Sequence, residues 1–186
     1  PSLQNKAEAP SAADPSTQAP QTLKDTLSHL LTPQLKPVWW STLAFAGGVA
    51  LMMTFGSVVG EARGLTHPTS LWFTYVAGAL SARLLGAKLP ERLGPERLVR
   101  PSLLLYGAAL LSVALSEGEV GMLVAGALAG VAHGYCFPVL TSLTVSAVEP
   151  RYRGRALAMF TGLWGGAAVL FAPLAGALAD QLGDAH

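Results

Sequence analysis

The chain has 186 residues, of which 51% are hydrophobic and only 12% charged, with a net charge of +1. Ordinary soluble domains carry about 25% charged residues, so the composition argues against a water-solvated globule. The near-zero net charge also removes any global field that would draw in nucleic acid or an acidic substrate. The few charges sit in short clusters between long apolar runs, so their placement carries the information.

The chain opens on proline and reads as a piece of a longer or processed polypeptide. Residues 1–37 differ in composition from everything after them. Pro, Ala, Ser, Thr and Gln dominate as far as Gln21, a mixture that buries too little surface to order itself, and a disordered cytoplasmic linker is expected. From Thr22 onward Leu23, Leu27, Leu30 and Leu31 share one helical face, with Asp25 at the third position after a cap. This short amphipathic helix suits the membrane interface, a contact within the chain, or a frayed turn of the linker.

Residues 38–59 carry no charge and begin with Trp39 and Trp40, where indole rings favour the headgroup boundary. Residues 69–87 form a second apolar run, opened by Trp72, Phe73 and Tyr75 and interrupted only by Arg83. Residues 101–116 form a third, shorter one. Residues 120–148 hold no charged side chain and a single histidine, His133, near their middle. Residues 156–179 hold no charge at all. A turn with Arg151, Arg153 and Arg155 joins these last two. At ~1.5 Å per residue, runs of this length cross a ~30 Å hydrocarbon layer. A soluble helix of equal length would show a polar face, which these runs lack. The expectation is an all-α membrane protein, with a bundle over residues 38–180 and a short external tail at 181–186. Cys136, within the fourth run, reads as a small buried thiol.

With alternating spans, one face collects Lys36, Lys88, Arg92, Arg97, Arg100, Arg151, Arg153 and Arg155. The other holds Arg63 alone among Glu61, Glu117, Glu119, Asp180 and Asp184. This bias places the N-terminal linker in the cytoplasm. The arginine trio then serves as a topology determinant, with anionic-lipid contact as its second role.

Small residues recur every fourth position at Gly126, Gly130 and Gly134, at Gly78, Ala82 and Gly86, and at Gly56 and Gly60. In lipid, where hydrophobic drive between helices is weak, such stripes let backbones approach closely. The third run has no stripe, so four helices are expected to pack inward and one to face lipid. Pro138 and Pro173 are expected to bend their helices.

His133 is the outstanding single residue. An imidazole near the bilayer centre faces a cavity or a partner, and its pKa of ~6.5 suits proton exchange or solute contact. The alternative is a neutral ring bonded to a carbonyl or a helix neighbour. Tyr135, Thr141 and Trp164 either line a solute path or simply pack. Arg83 is placed to snorkel to the boundary, with Glu91 as a nearby acid. The four histidines, His29, His67, His133 and His186, share no ligand spacing, so no metal site is expected. No phosphate-cradling glycine loop or catalytic constellation is readable, which predicts neither an enzyme nor a cofactor nor a nucleic-acid partner.

Several segments carry a family likeness. The stretch from Arg83 through Glu91, Arg92 and Gly94 to Arg97 resembles the loop signature of the major facilitator superfamily. Ala87 stands in its first glycine position, and Glu91 replaces the usual aspartate. Residues 130–138 and 151–156 resemble the tenth helix and following loop of bacterial members, especially the drug and sugar efflux branch. Ala172 to Gly176 is similar to an antiporter helix motif around Pro173.

The resemblance implies the five-helix C-terminal portion, helices seven to eleven, of a twelve-helix carrier in the bacterial inner membrane. It implies a missing six-helix N-terminal half as partner and a small organic solute moved by alternating access, with proton-coupled efflux as the expected mode. Arg83, Glu91, Arg92 and Gly94 would belong to the gate geometry of that family. Gly126, Gly130, Gly134, Pro138, Pro173 and Gly176 would serve packing and bending. The rival reading is a non-transporting membrane scaffold or a half-carrier that dimerises.

Overall fold

The computed structural model describes residues 22–183; the linker expected over residues 1–21 and the last three residues of the expected tail lie outside the described residues. Among the described residues every regular element is helical. They are α1 (Leu23–Leu30), α2 (Lys36–Ala62), α3 (Leu71–Leu85), α4 (Leu89–Leu93), α5 (Pro95–Leu115), α6 (Glu119–Ser146) and α7 (Arg153–Gly183). Short 3-10 turns at Pro68–Ser70 and Pro150–Tyr152 lead into α3 and α7.

The long helices alternate in direction, which gathers the described lysines and arginines other than Arg63 toward one end of the bundle and leaves Glu61, Glu117, Glu119 and Asp180 at the other. At the acidic end Arg63, just after α2, donates to the carbonyls of Val113 (2.7 Å), Ala114 (2.6 Å) and Ser116. These belong to the orphan carbonyls that a helix C-terminus leaves unmatched. This arginine, the only Lys or Arg among the described residues at this end, is thus committed to closing α5. Beside it the His67 amide donates to the Glu119 carboxylate at 3.2 Å.

Helices α2, α5, α6 and α7 are each long and apolar enough to cross a membrane. The remaining rod, α3, has 15 residues, about 22 Å at the α-helical rise. The 3-10 turn that runs straight into it adds about 6 Å. α5 starts earlier than the apolar run suggested. Pro95 opens it, while Pro101 lies inside it and removes a bond to the Arg97 carbonyl. Leu98 and Val99 are buried and hold these first turns in place.

α6 is the hub, packed against α3 on one side and α5 on the other, while α2 bridges α5 and α7. The seam between α3 and α6 is built on missing side chains. A Cβ at Gly126 would collide with the Leu71 carbonyl oxygen, and one at Gly130 with that of Tyr75. At Gly134 it would meet Ala82 Cβ at 2.7 Å and the Ala79 oxygen at 2.9 Å. In return, a Cβ at Gly78 would lie 2.5 Å from the Ala127 oxygen. Contacts this close replace the hydrophobic drive that lipid does not supply.

The expected outward helix is corrected here. α5 packs on two neighbours and buries Tyr106, Ala109 and Val113, whereas α7 is the least covered span. The leucines of α5 gave the wrong impression because one helix can carry Leu104 and Leu111 to the outside and a core face behind them.

Candidate functional site: an aromatic centre around His133

All five long helices send an aromatic ring to the middle of the bundle. On α6, His133 and Phe137 are one turn apart and stack, with ring centroids 5.7 Å apart and planes 15° from parallel. On α7, Phe160 and Trp164 repeat that spacing; Trp164 meets Phe137 edge-on at 5.3 Å and His133 at 6.0 Å. Phe45 of α2 stands edge-on to His133 at 5.3 Å, to Trp164 at 5.5 Å and to Tyr106 of α5 at 5.3 Å. Tyr75 of α3 completes the ring with its centroid 5.7 Å from His133. Edge-to-face pairs of this kind hold apolar bulk in a defined shape.

Polar atoms are set into this apolar frame. The Tyr75 hydroxyl lies 2.6 Å from His133 Nδ1, a bond in which the phenol donates to a neutral ring or accepts from it according to tautomer. Trp164 Nε1 is buried without a hydrogen bond to any described residue, while the buried Tyr106 hydroxyl faces that of Tyr75. Buried donors normally find partners, because leaving one unmatched costs about 1–3 kcal/mol. The aromatic ring contributes no carboxylate. Chemically, the site offers ring faces for a flat apolar body and hydrogen-bond donors for an acceptor group.

Of the residues singled out from the sequence, His133 and Trp164 meet here. Tyr135 does not: its hydroxyl lies against Gly86, where a Cβ would collide with it. Thr141 donates back to the Phe137 carbonyl at 2.9 Å, within its own helix. Arg83, Glu91 and Arg92 are exposed at the basic end, and Arg83 makes no ion pair with Glu91. Gly94 joins α4 to α5 with a φ of 85°, a left-handed value that suits glycine. Pro138 is exposed and borders a shallow cavity with Pro90, Glu91 and Pro95. Pro173 lies within α7, and a Cβ at Gly176 would stand at an ordinary 4.0 Å from Phe55.

Phe45, Tyr75, Tyr106, Phe137 and Phe160 were not singled out. The i,i+4 pairs His133/Phe137 and Phe160/Trp164 were visible as helical spacing; the other three converge only through tertiary packing.

The basic end holds a second built contact. α1, capped by Thr22 on the Asp25 amide at 3.2 Å, folds back over the turn between α6 and α7. The Tyr152 hydroxyl donates to Asp25 Oδ2 at 3.0 Å, His29 stacks on Tyr152 at 4.3 Å, and Arg155 donates to the Thr26 hydroxyl. Trp39 Nε1 donates to the Leu30 carbonyl at 2.7 Å, and Leu30 and Leu35 are buried. Of the roles the sequence left open for α1, contact within the chain is the one this geometry displays.

Alternating apolar helices, a glycine-lined seam and a central aromatic cluster define a polytopic membrane bundle. Residues 38–183 match the model of the Major Facilitator Superfamily, and the chain belongs to that family. It is 32% identical over 111 residues to the 3-(3-hydroxy-phenyl)propionate transporter of Escherichia coli (strain K12), an alignment covering 59% of the chain and 25% of that protein. Against the probable anion transporter 5 of Arabidopsis thaliana it is 27% identical over 117 residues, covering 61% of the chain and 27% of that protein. The chain therefore aligns with about a quarter of the length of either relative. No solved structure gives a significant match.

Proposed function

We propose that the chain is the C-terminal portion of a secondary carrier that moves a small planar organic acid across the membrane by alternating access. The convergence of rings from all five long helices on His133 carries this reading. His133, Phe137 and Trp164, the half-buried members of the cluster, offer ring faces to an aromatic body, and Trp164 Nε1 supplies a donor for a carboxylate. The absence of an acid in this ring of residues favours an anion over an amine. The printed names of the two relatives, one an arylpropionate transporter and one an anion transporter, support the same class.

In this scheme the Tyr75–His133 pair exchanges the coupling proton, and efflux is the direction implied by the likeness of residues 130–138 and 151–156 to the efflux branch. The basic end faces the cytoplasm of a bacterial inner membrane, with α1 and the linker on that side. The missing six-helix half packs on α7, whose Val169, Leu170, Leu174 and Leu178 are exposed. Glu91 and Arg92, free at the basic end, meet that half at the inner gate.

The test is flux of radiolabelled 3-(3-hydroxyphenyl)propionate by the full-length carrier in vesicles, with and without an imposed pH gradient. Gradient-dependent flux that His133→Ala abolishes is expected. Flux that ignores the gradient overturns the proton role, and failure to move any aromatic acid overturns the substrate class. A chain that sustains no flux of any solute leaves the scaffold reading in its place.

A further inference from the structure

At the basic end a cavity of about 290 Å³ opens between the first turns of α2 and α5 and the last turns of α6. That volume is near the lower end of small-molecule sites, about 300–1,000 Å³. Its lining divides by chemistry. Gln34, Ser41, Glu96 and Arg100 supply polar groups, while the half-buried Val38 and Leu143 form an apolar wall behind them.

Glu96 and Arg100 are one helical turn apart on α5, with the glutamate nearer the N-terminus, the favourable order for an intrahelical pair. Neither joins an ion pair with the other or with any described residue. Both charges are exposed and both border the cavity. Its depth is marked twice. Arg100 is the last charge before the uncharged run of α5, and Trp40, 71% exposed, stands beside Ser41 as an indole at the headgroup boundary.

A mouth with one free cation and one free anion, opening onto an apolar wall at this depth, complements a zwitterionic head on an acyl chain. The guanidinium of Arg100 suits a phosphodiester, which it can grip with two parallel N–H groups. The carboxylate of Glu96 suits a primary ammonium, which donates hydrogen bonds that a quaternary one lacks. A purely anionic lipid would place like charge against Glu96. We propose that this cavity binds a phospholipid with a phosphoethanolamine head, with phosphate on Arg100, ammonium on Glu96 and an acyl chain along Val38 and Leu143.

Native mass spectrometry of the full-length carrier released from detergent tests this directly, with phosphatidylethanolamine, phosphatidylcholine, phosphatidylglycerol and free phosphoethanolamine as probes. The ethanolamine lipid is expected to be retained about tenfold better than either other lipid, the size of effect one charge-assisted hydrogen bond supplies. Glu96→Gln should erase its advantage over the choline lipid, and Arg100→Gln should weaken retention of all three. Equal retention of ethanolamine and choline lipids by the unaltered carrier overturns the proposal. So does retention unchanged in both variants. Binding of free phosphoethanolamine as tight as that of the lipid removes the apolar wall from the argument and overturns the lipid assignment. Because both side chains are exposed, the variants keep the fold, which circular dichroism and a monodisperse elution profile check.

Discussion

α6 and α7 are alike in length and apolar composition. They have 28 and 31 residues, are joined by one short turn, and each carries glycines and a single internal proline. Their surroundings differ sharply. Half of the most apolar stretch of α6 is buried inside the bundle, against 11% of that of α7. The glycines of α6 touch backbone at Leu71, Tyr75 and Ala79, whereas Gly162, Gly165 and Gly166 of α7 face open space. Water forces a soluble helix to display which side is inside. Lipid imposes no such rule, so apolar composition is silent about whether a face meets protein or hydrocarbon.

The contrast can be broken most forcefully with Gly130→Leu. The side chain would drive into the Tyr75 carbonyl, at a cost beyond the ~1–3 kcal/mol typical of an overpacked core, and yield of detergent-stable carrier on size exclusion should fall more than about tenfold. With this chain expressed by itself, Gly162→Leu on α7 should leave the yield within about twofold while Gly130→Leu still cuts it, and an equal loss from both would erase the distinction. His133→Ala comes next. It keeps the seam but removes the imidazole, and proton-driven flux should drop about 100-fold or more, the lower end for losing a positioned acid–base group. Trp164→Phe retains a ring while deleting the unpartnered Nε1–H. Half-saturation for an aromatic acid should rise about fivefold, in line with ~1 kcal/mol for one hydrogen bond. The smallest effect belongs to Tyr152→Phe, which loses only the bond to Asp25; limited proteolysis within α1 should quicken about two- to fivefold with flux nearly unchanged.

Much of the architecture was readable along the chain because uncharged runs and basic turns obey local rules. Trp39 and Trp40, Arg151 to Arg155 and the glycine triplet in α6 announced helices, ends and a seam. The start of α5 was missed because charged Glu96, Arg97 and Arg100 end an apolar run without ending a helix; Pro95, which opens the first turn, was the better marker. The burial of α5 was missed for another reason. Tyr106 and Ala109 face protein while Leu104 and Leu111 face outward, and both sets are equally apolar. The aromatic centre was half legible. His133 declared itself by polarity, and Phe137 and Trp164 lay at helical intervals from it and from Phe160. Phe45, Tyr75 and Tyr106 come from three other helices, and only the interhelical geometry brings them to the same point.

The docking of α1 bears on how motion could be watched. Because Asp25, Thr26 and His29 hold the turn at Tyr152 and Arg155, the segment before α2 is moored to the entrance of α7. A dye attached at Thr22 would therefore ride with the base of α7. Paired with a second dye on the other half of the proposed carrier, it would turn each stroke of the proposed alternating-access cycle into a change in energy transfer, without a label inside the membrane.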